Sequence, residues 1–397
     1  MGLDFLAHPF WDKYLEFEER LEAYDKIFAI LSRVIHIPMH QYARYFEKYR
    51  QLASSRPLHE LCPAENLAQF RAEIEMAAPP GQRNEADAER ELRARVDNHH
   101  LEVFHKCQAE TTKRWTYEQE IKRPYFHVTE LDDAQLDNWR RYLAFEEDEG
   151  GHARTVFLYE RCLVAAAYYD EFWLRYARWM QGQAGRAEDV RHIYQRASCL
   201  YAPIARPACR LQWAIFEAAQ GRVDVAQAIY EAMLMTMPGH VETIVKWAAS
   251  CRRHTGLDAA VAVVQGQMQA PTCDGATKAA LVAQWAHLLW KVKGSAEEAR
   301  QIYEQNQAGC LDSRTFWASW LDFEMEQPGK TGEESEAVAQ QQQHERVRRI
   351  MDDIRRRSRL PVEAMQELAL VYMGYLEDRG VRDVEKEWIA LDRDMFG

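Results

Sequence analysis

The sequence predicts an all-α fold, an α-solenoid built from stacked helix pairs. The first observation is an aromatic position that returns six times, at Tyr142, Tyr176, Trp213, Trp247, Trp285 and Trp320. Successive members are separated by 34, 37, 34, 38 and 35 residues. The second observation is a tyrosine in the apolar run that follows several of them, at Tyr159, Tyr194, Tyr230 and Tyr303. Periods of about 34 to 40 residues with two amphipathic helices per repeat are typical of such solenoids.

Each predicted first helix carries aromatic residues at helical spacing and several end in glutamate. The pattern Trp-x-x-Tyr-x-x-Phe-Glu stands at residues 11–18 and again at 139–146. We expect the aromatic stripe to fill the space between helices rather than to stack nucleic-acid bases. The predicted packing residues are Trp139, Tyr142, Tyr176, Trp213, Trp247, Trp285 and Trp320. The glutamates are expected to bond across the helix pair, to an arginine such as Arg161 or Arg300.

Turns and polar stretches divide the repeats. Gly221, Gly256 and Gly294 are placed to close the tight turns inside successive pairs. Residues 76–95 contain Pro-Pro-Gly and many charges, which predicts a charged exposed loop. Residues 330–344 are acidic and then rich in glutamine, and we assign no role to this insert. The sequence predicts N-terminal repeats over 1–125 and C-terminal repeats over 126–397, the last of them forming a dimerisation region.

Composition narrows the function classes. Lys and Arg total 50 against 62 Asp and Glu, a net charge of −12, which disfavours broad nucleic-acid binding because that requires a net basic surface. The eight cysteines are scattered without a C-x-x-C spacing, as is typical of a reducing compartment. The chain lacks a signal-peptide pattern, and no apolar run reaches the ~18 to 20 residues that span a bilayer. We therefore expect a soluble intracellular protein with no membrane partner.

The sequence predicts no enzyme. It contains no Gly-rich phosphate loop, no G-x-S-x-G and no Cys/His nucleophile arrangement. We accordingly expect no catalytic residue, no cofactor and no small-molecule substrate. His99, His100, His105 and Cys107 are the one group that resembles metal ligands. Their spacing fits no common zinc pattern, so we predict no metal site.

The second helices identify a family. Residues 299–304 read Ala-Arg-Gln-Ile-Tyr-Glu, of the form A-R-x-I-Y-E, and they accompany aromatic first helices that end in glutamate. This combination resembles the half-a-TPR (HAT) repeat. The resemblance implies a TPR-like scaffold of an RNA-processing complex.

A closer resemblance covers about 60 residues in the middle of the chain. Residues 123–128, 135–139, 159–162 and 171–177 are similar to the pre-mRNA-processing factor 39 family. That resemblance implies a solenoid bent into two lobes, homodimerisation through the C-terminal repeats, and a nuclear, non-catalytic role in pre-mRNA splicing. The implied partners are proteins of the U1 small nuclear ribonucleoprotein (U1 snRNP), where the scaffold supports 5′ splice-site recognition, with RNA contacted indirectly or locally.

The last predicted helix supplies a candidate dimer interface. A terminal repeat needs a polar outer face to stay soluble, but this helix carries an apolar stripe up to the end of the chain. The candidate interface residues are Val381, Val384, Trp388, Leu391, Met395 and Phe396. The alternative is that part of the stripe packs on its own partner helix.

A basic segment at 346–359 is the strongest charge feature. It holds seven arginines and two aspartates, a net +5, and is a candidate contact for RNA or an acidic partner. The arginines are Arg346, Arg348, Arg349, Arg355, Arg356, Arg357 and Arg359. The alternative is a solvated helix face on which Asp352 and Asp353 pair with neighbouring arginines.

Two other functions stay open at this stage. One is another HAT-repeat RNA-processing scaffold, of the homodimeric mRNA 3′-end cleavage factor type. The other is a TPR-like adaptor that binds peptide tails, which the aromatic-plus-glutamate pattern disfavours.

Overall fold

The protein is all-helical wherever the structure describes it. The computed structural model describes residues 2–77, 85–327, 336–379 and 382–396, and these contain helices and turns but no strand. The predicted all-α class is confirmed. The chain divides into two compact units, Met1–Arg186 and Ala187–Gly397, which we call the N-terminal and C-terminal units. The predicted division at 125/126 and the predicted two-lobed bend stay predictions.

The N-terminal unit holds the first nine α-helices. They are α1 (His8–Arg20), α2 (Tyr24–Val34), α3 (Tyr42–Ala53), α4 (Leu58–Leu61), α5 (Ala64–Ala77), α6 (Glu85–Glu120), α7 (Asp133–Glu149), α8 (His152–Ala165) and α9 (Asp170–Gln181). Neighbours in the chain pack together as pairs: α1 on α2, α5 on α6 and α7 on α8. Asp132 begins α7 because its carboxylate accepts a hydrogen bond from the Gln135 amide at 2.7 Å.

The C-terminal unit holds the remaining eleven described α-helices. They are α10 (Ala187–Arg196), α11 (Ala208–Ala219), α12 (Val223–Thr236), α13 (Val241–His254), α14 (Leu257–Met268), α15 (Gly275–His287), α16 (Ala296–Asn306), α17 (Arg314–Met325), α18 (Glu336–Arg357), α19 (Val362–Arg379) and α20 (Arg382–Phe396). Short π-helical turns extend α10 over Ala197–Tyr201 and α15 over Leu288–Lys293.

The turns inside three pairs of the C-terminal unit use glycine as predicted. Gly221, Gly256 and Gly294 have φ of +80°, +119° and +78°, in the region that L-residues rarely adopt. Each lies between the two antiparallel helices of one pair, α11 and α12, α13 and α14, or α15 and α16.

The two polar stretches fold more than the sequence suggests. Residues 78–84 of the first stretch lie outside the described residues, but Glu85 begins α6, so the predicted loop is helical over 85–95. In the second stretch, residues 328–335 lie outside the described residues and the glutamine run belongs to α18. Gln343 donates to the carbonyls of Glu324 and Met325 at 3.2 and 2.7 Å, which satisfies the C-terminal end of α17.

Each unit has its own core of packed aromatic and aliphatic side chains. Trp139, Trp173 and Trp317 are among the largest fully buried side chains. Within the described ranges, no helix is both long and apolar enough to cross a membrane.

Candidate interaction surfaces

A stacked pair of rings joins many successive repeats. In each pair a tyrosine of one second helix lies parallel to the aromatic residue of the next first helix. The pairs, with centroid distances, are Tyr117–Tyr142 (5.0 Å), Tyr159–Tyr176 (4.5 Å), Tyr230–Trp247 (6.5 Å) and Tyr303–Trp320 (5.5 Å). Of the seven predicted packing residues, Tyr142, Tyr176, Trp247 and Trp320 take part in these stacks. Trp139 is buried, and Trp213 and Trp285 are half-buried. Their rings are therefore largely occupied by the protein itself.

A buried ion pair accompanies the stack in three places. Glu146 binds Arg114 (2.7 Å), Glu217 binds Arg191 (2.8 Å) and Glu324 binds Arg300 (2.5 Å), each carboxylate accepting two bonds from one guanidinium. The three glutamates are at most 1% exposed. In every case the arginine belongs to the helix that precedes the first helix, so the pair joins neighbouring repeats.

This arrangement partly corrects the predicted glutamate partners. Arg300 does bind Glu324, but the bond joins neighbouring repeats instead of the two helices of one pair, as was expected. Arg161 does not bind Glu146, because its guanidinium binds Glu118 at 2.6 and 2.7 Å. The arginine lies three residues before the tyrosine in each case, as in Arg114/Tyr117 and Arg300/Tyr303. That R-x-x-Y spacing was readable from the sequence and would have identified the partner.

Burial and hydrogen bonding compete at these carboxylates. Burial acts to raise the pKa of Glu217, but hydrogen bonds from Arg191 and from the Trp213 indole outweigh it, and the pKa lies below the usual value. The hydrogen bonds therefore favour the ionised form of Glu217 inside the repeat stack. The Arg191 guanidinium also lies 5.9 Å from the Phe216 ring centroid.

Between α6 and α17, a repeat that lacks one partner of the ion pair also lacks the other, whereas Glu18, at the same position of α1, lies 3.5 Å from Lys26. The arginine position is Val156, Gln227 or Val261, and the matching glutamate position is Met180, Cys251 or Leu289. A lone charge at either position would be buried without a partner, at a cost of several kcal/mol. The two positions therefore change together from α6 to α17.

A second charge cluster binds helices of the N-terminal unit. Glu118 accepts from Arg161 and from the Tyr142 hydroxyl at 2.8 Å. Glu147 binds Arg175 at 2.7 and 2.9 Å and accepts from the Tyr159 hydroxyl. Because both carboxylates are satisfied by arginine and tyrosine, the cluster holds helices together and offers no free acid or base.

The structure divides the seven arginines of the basic segment. Four contact acids: Arg346 with Glu324 (3.1 Å), Arg348 with Glu387 (3.3 Å), Arg357 with Asp353 (3.2 Å), and Arg355 with Asp394 and Asp352. Arg349, Arg356 and Arg359 are exposed and form no ion pair with any described residue. These three, which we call the open arginines, are the part of the segment left to bind an anion.

The structure places most of the candidate dimer stripe against its own chain. Val384 and Leu391 are buried in the core of the C-terminal unit, and Trp388 and Met395 pack against that core. Trp388 also donates its indole N–H to Glu377 at 3.0 Å. Phe396 is 44% exposed, and Val381 lies outside the described residues. Ile389, which sequence reasoning omitted, is 48% exposed beside this stripe.

The histidine and cysteine group is dispersed along α6. His100 is buried, with its Nε2 3.0 Å from both the Tyr49 hydroxyl and the Leu61 carbonyl. Burial lowers the pKa of His100. Cys107 is buried and donates to the Ile37 carbonyl, while His99 is half-buried and His105 is exposed. Within the described ranges, no three His, Cys, Asp or Glu side chains are grouped to hold a metal ion.

An exposed apolar segment precedes α7. Tyr125, Phe126 and Val128 are 58%, 44% and 74% exposed. The Arg123 guanidinium fixes the segment by donating to the Thr129 hydroxyl and carbonyl at 3.1 and 3.0 Å. Sequence reasoning used this segment only to identify a family, although contiguous exposed apolar residues are typical of contact surfaces.

Comparison with known proteins identifies the family. A model described as the PRP39 N-terminal HAT repeat matches residues 1–51, and one described as the PRP39 C-terminal HAT repeat matches residues 112–253. The chain is 46% identical to pre-mRNA-processing factor 39 of Schizosaccharomyces pombe over 411 aligned positions, covering all of this chain and 66% of that protein. The chain belongs to the HAT-repeat family of pre-mRNA-processing factor 39.

More distant relatives show how far the family extends. The chain is 28% identical to pre-mRNA-processing factor 39 of Homo sapiens over 84% of its own length and 52% of the human protein. It thus spans about two thirds of the fission-yeast relative and about half of the human one. A crystal structure of CstF-77 matches 99% of this chain and 74% of that chain with a TM-score of 0.60 at 12% identity. That match confirms the HAT-type solenoid fold.

Proposed function

We propose that this protein is a non-catalytic scaffold of the U1 snRNP that acts in pre-mRNA splicing in the nucleus and supports 5′ splice-site recognition. The observation that carries the proposal is the 46% identity, across the whole chain, to a protein named pre-mRNA-processing factor 39. The aligned region covers all of this chain and therefore includes every repeat. The part of the proposal that concerns the U1 snRNP rests on the resemblance of residues 123–177 to that family.

The distribution of side chains supports a scaffold. Many of the described aromatic and charged groups of the repeat stack contact one another, as in the Glu217–Arg191 pair with its Trp213 bond. What remains for partners is the outer surface. The exposed apolar segment before α7, with Tyr125, Phe126 and Val128, is a candidate protein contact. Its apolar side chains are exposed, and hydrogen bonds from Arg123 already hold its backbone.

We further propose homodimerisation through the C-terminal repeats. The exposed residues available for it are Phe396 and Ile389, next to the half-buried Trp388 and Met395. Val384 and Leu391 would contribute indirectly, because they hold α20 against the core of its own unit. The open arginines Arg349, Arg356 and Arg359 are proposed as a local contact for RNA or an acidic partner.

Affinity purification with sequencing of co-purifying small RNA tests the splicing role. We expect U1 RNA to be enriched over other spliceosomal RNAs. Replacing Tyr125 and Phe126 with serine should lower that recovery, because it removes the exposed apolar contact without touching the core. A Met235→Ser variant, also at a highly exposed apolar residue, is the matched control. Recovery of no spliceosomal RNA with the unaltered protein would contradict the proposal.

A second candidate is a scaffold of mRNA 3′-end cleavage. The fold similarity to CstF-77 favours it, as does 22% identity over 336 residues to cleavage stimulation factor subunit 77 of Arabidopsis thaliana. The same purification distinguishes the two, since a cleavage scaffold would enrich polyadenylation factors and no U1 RNA.

A further inference from the structure

The outer face of α1 carries an apolar stripe that no described helix covers. Phe10, Tyr14, Phe17 and Leu21 follow the spacing i, i+4, i+7 and i+11, which places them on one face of a helix. Tyr14 is half-buried, whereas Phe10, Phe17 and Leu21 are 43%, 56% and 57% exposed. The ring partners of Tyr14 among the described residues both belong to α1 itself. A contiguous exposed apolar face of this kind is typical of a contact surface.

The equivalent face of α7 is covered, and it shows what such a face binds. Tyr117 of α6 stacks on Tyr142 at 5.0 Å and lies 5.6 Å from the ring of Phe145. Arg114, one turn earlier on α6, donates hydrogen bonds of 2.7 and 3.1 Å to the Glu146 carboxylate. Its guanidinium also lies 5.0 Å from the ring centroid of Phe145. One R-x-x-Y helix thus covers the aromatic residues and balances the buried charge.

Helix α1 presents the same residues to that helix position. Because the pattern Trp-x-x-Tyr-x-x-Phe-Glu stands at 11–18 and at 139–146, Tyr14 and Phe17 correspond to the two rings that Tyr117 contacts on α7. Glu18 likewise corresponds to the carboxylate that Arg114 binds.

The charge of Glu18 is the second observation that points to a missing partner. Its side chain is 6% exposed, and no described residue donates a hydrogen bond to its Oε2 atom. The Lys26 ammonium, itself 68% exposed, lies 3.5 Å away, much as Arg154 lies 3.7 Å from Glu146. No described arginine takes the part that Arg114 has on α7. A guanidinium that donates two parallel hydrogen bonds is the group that best satisfies a buried carboxylate.

Two other occupants fit this face less well. Glu19 and Glu22 are exposed next to Glu18 in the sequence, so a nucleic acid would bring phosphates towards like charge. The sequence contains three R-x-x-Y segments, on α6, α10 and α16. The arginine of each already binds a glutamate of the next helix, so a second copy of the folded chain has none to offer.

We propose that the outer face of α1 binds an α-helix of a separate polypeptide that carries arginine and tyrosine in the R-x-x-Y spacing. The arginine of that helix donates two hydrogen bonds to Glu18. Its tyrosine stacks on Tyr14 and covers Phe17, as Tyr117 covers the matching rings of α7. Phe10 and Leu21 extend the apolar contact at either end. This binding is independent of the splicing role proposed above.

Fluorine NMR of the full chain tests the binding. Placing 4-trifluoromethylphenylalanine at Phe17 gives one fluorine signal on the face. The same label at Met235, an exposed apolar residue of the C-terminal unit, is the control. The probe is a stapled helical peptide with the sequence of residues 295–306, which contains Arg300 and Tyr303 in the required spacing. We expect it to shift the signal at position 17 in a saturable way and to leave the signal at position 235 unchanged.

Matched variants on both sides separate specific binding from general apolar adhesion. Peptides with Arg300→Gln or Tyr303→Ala should bind about tenfold more weakly, because each loses the charged hydrogen bonds or the stacked ring. In the protein, Glu18→Gln should abolish the difference between the parent and Arg300→Gln peptides, whereas Glu19→Gln, at the exposed neighbouring position, should preserve it. The peptide variants use the unaltered chain, so a folding defect of Glu18→Gln cannot hide the result.

Three results would overturn this assignment. They are no shift at position 17, equal affinity for the parent and Arg300→Gln peptides, and a signal that changes with protein concentration when no peptide is present, which would assign the face to a second copy. The source of the helix is tested in cells by photo-crosslinking from 4-benzoylphenylalanine placed at Phe17. A cross-link to an R-x-x-Y helix of another protein supports the proposal, and a cross-link to any segment of the same chain overturns it.

Discussion

Removing one partner of an ion pair that joins two repeats should lower the free energy of unfolding far more than removing both partners. The test pair is Arg191 and Glu217, which are 8% and 0% exposed and share two hydrogen bonds of 2.8 and 3.1 Å. Glu217→Leu leaves Arg191 with only the exposed Glu188 as a partner and removes the acceptor of the Trp213 indole. We expect a loss of about 3 to 5 kcal/mol in the free energy of unfolding.

The double variant imitates an interface that the chain already contains. Arg191→Val with Glu217→Leu reproduces the residues found at 261 and 289. Because no buried charge remains, we expect its stability to return to within about 1 to 2 kcal/mol of the parent protein. The Trp213 N–H loses its acceptor in both variants. The buried and unpaired indole nitrogens of Trp247 and Trp320 indicate that the fold tolerates this.

Urea denaturation followed by far-UV circular dichroism gives the free energies. Since solenoids often unfold in segments, hydrogen exchange over α10 and α11 should be measured alongside to localise the effect. Glu188→Ala is the control, because it removes an 81%-exposed partner of Arg191 and should cost less than about 1 kcal/mol. If the double variant loses as much stability as Glu217→Leu and Arg191→Val measured singly and added together, the side chains act independently and the explanation for their joint replacement is wrong.

Three further predictions concern the C-terminal surfaces and pH. Light scattering should give a mass near twice 46.4 kDa, and Phe396→Asp should reduce it because it places a charge in the proposed apolar interface; a concentration-independent monomer mass would contradict dimerisation. Replacing Arg349, Arg356 and Arg359 with glutamate should weaken RNA or particle association in pull-down assays, because these side chains have no acid to bind among the described residues. Burial lowers the pKa of His100, so the unfolded chain binds the proton more readily, and stability present above about pH 6.5 should fall as the pH decreases. His100→Gln should reduce that fall between pH 7.5 and 5.5 in urea titrations, and an unchanged slope would remove His100 as a cause.

The arginine prediction has a matched control within the same helix. Glutamate at Arg348, Arg355 and Arg357 changes the charge equally but also breaks contacts with Glu387, Asp394 and Asp353. If only the open arginines matter for binding, this control should lose stability more than association. Equal loss of association in both sets would indicate a general charge effect.

The helix pairs and their aromatic positions were predictable because the repeat period and the residue types indicate them directly. The six-fold return of Trp or Tyr and the three turn glycines required only sequence spacing. The partners of the glutamates were harder to predict. Without the R-x-x-Y spacing, the sequence is equally consistent with a pairing inside one repeat and with a pairing to the preceding repeat. Which arginines of 346–359 are open could not be predicted, because α20 supplies two of their acids, Glu387 and Asp394, from far along the chain.

The terminal stripe shows another limit of sequence reasoning. An apolar face on the last helix is equally consistent with a second copy of the chain and with the helix before it. The structure resolves part of this, because Val384 and Leu391 pack inward whereas Phe396 and Ile389 do not.

The coupled replacement of arginine and glutamate also fixes the order in which the repeats can stack. The buried glutamates of α11 and α17 each bind an arginine that the preceding helix brings. The same helix placed after α14 would meet Val261 and bury an uncompensated carboxylate, at a cost of several kcal/mol. Repeats of one chain, or of two chains during folding, therefore cannot be exchanged or skipped freely. The ion pairs therefore specify which repeats can be neighbours in a protein whose repeats are otherwise alike, because misordered stacking would bury an unpaired charge.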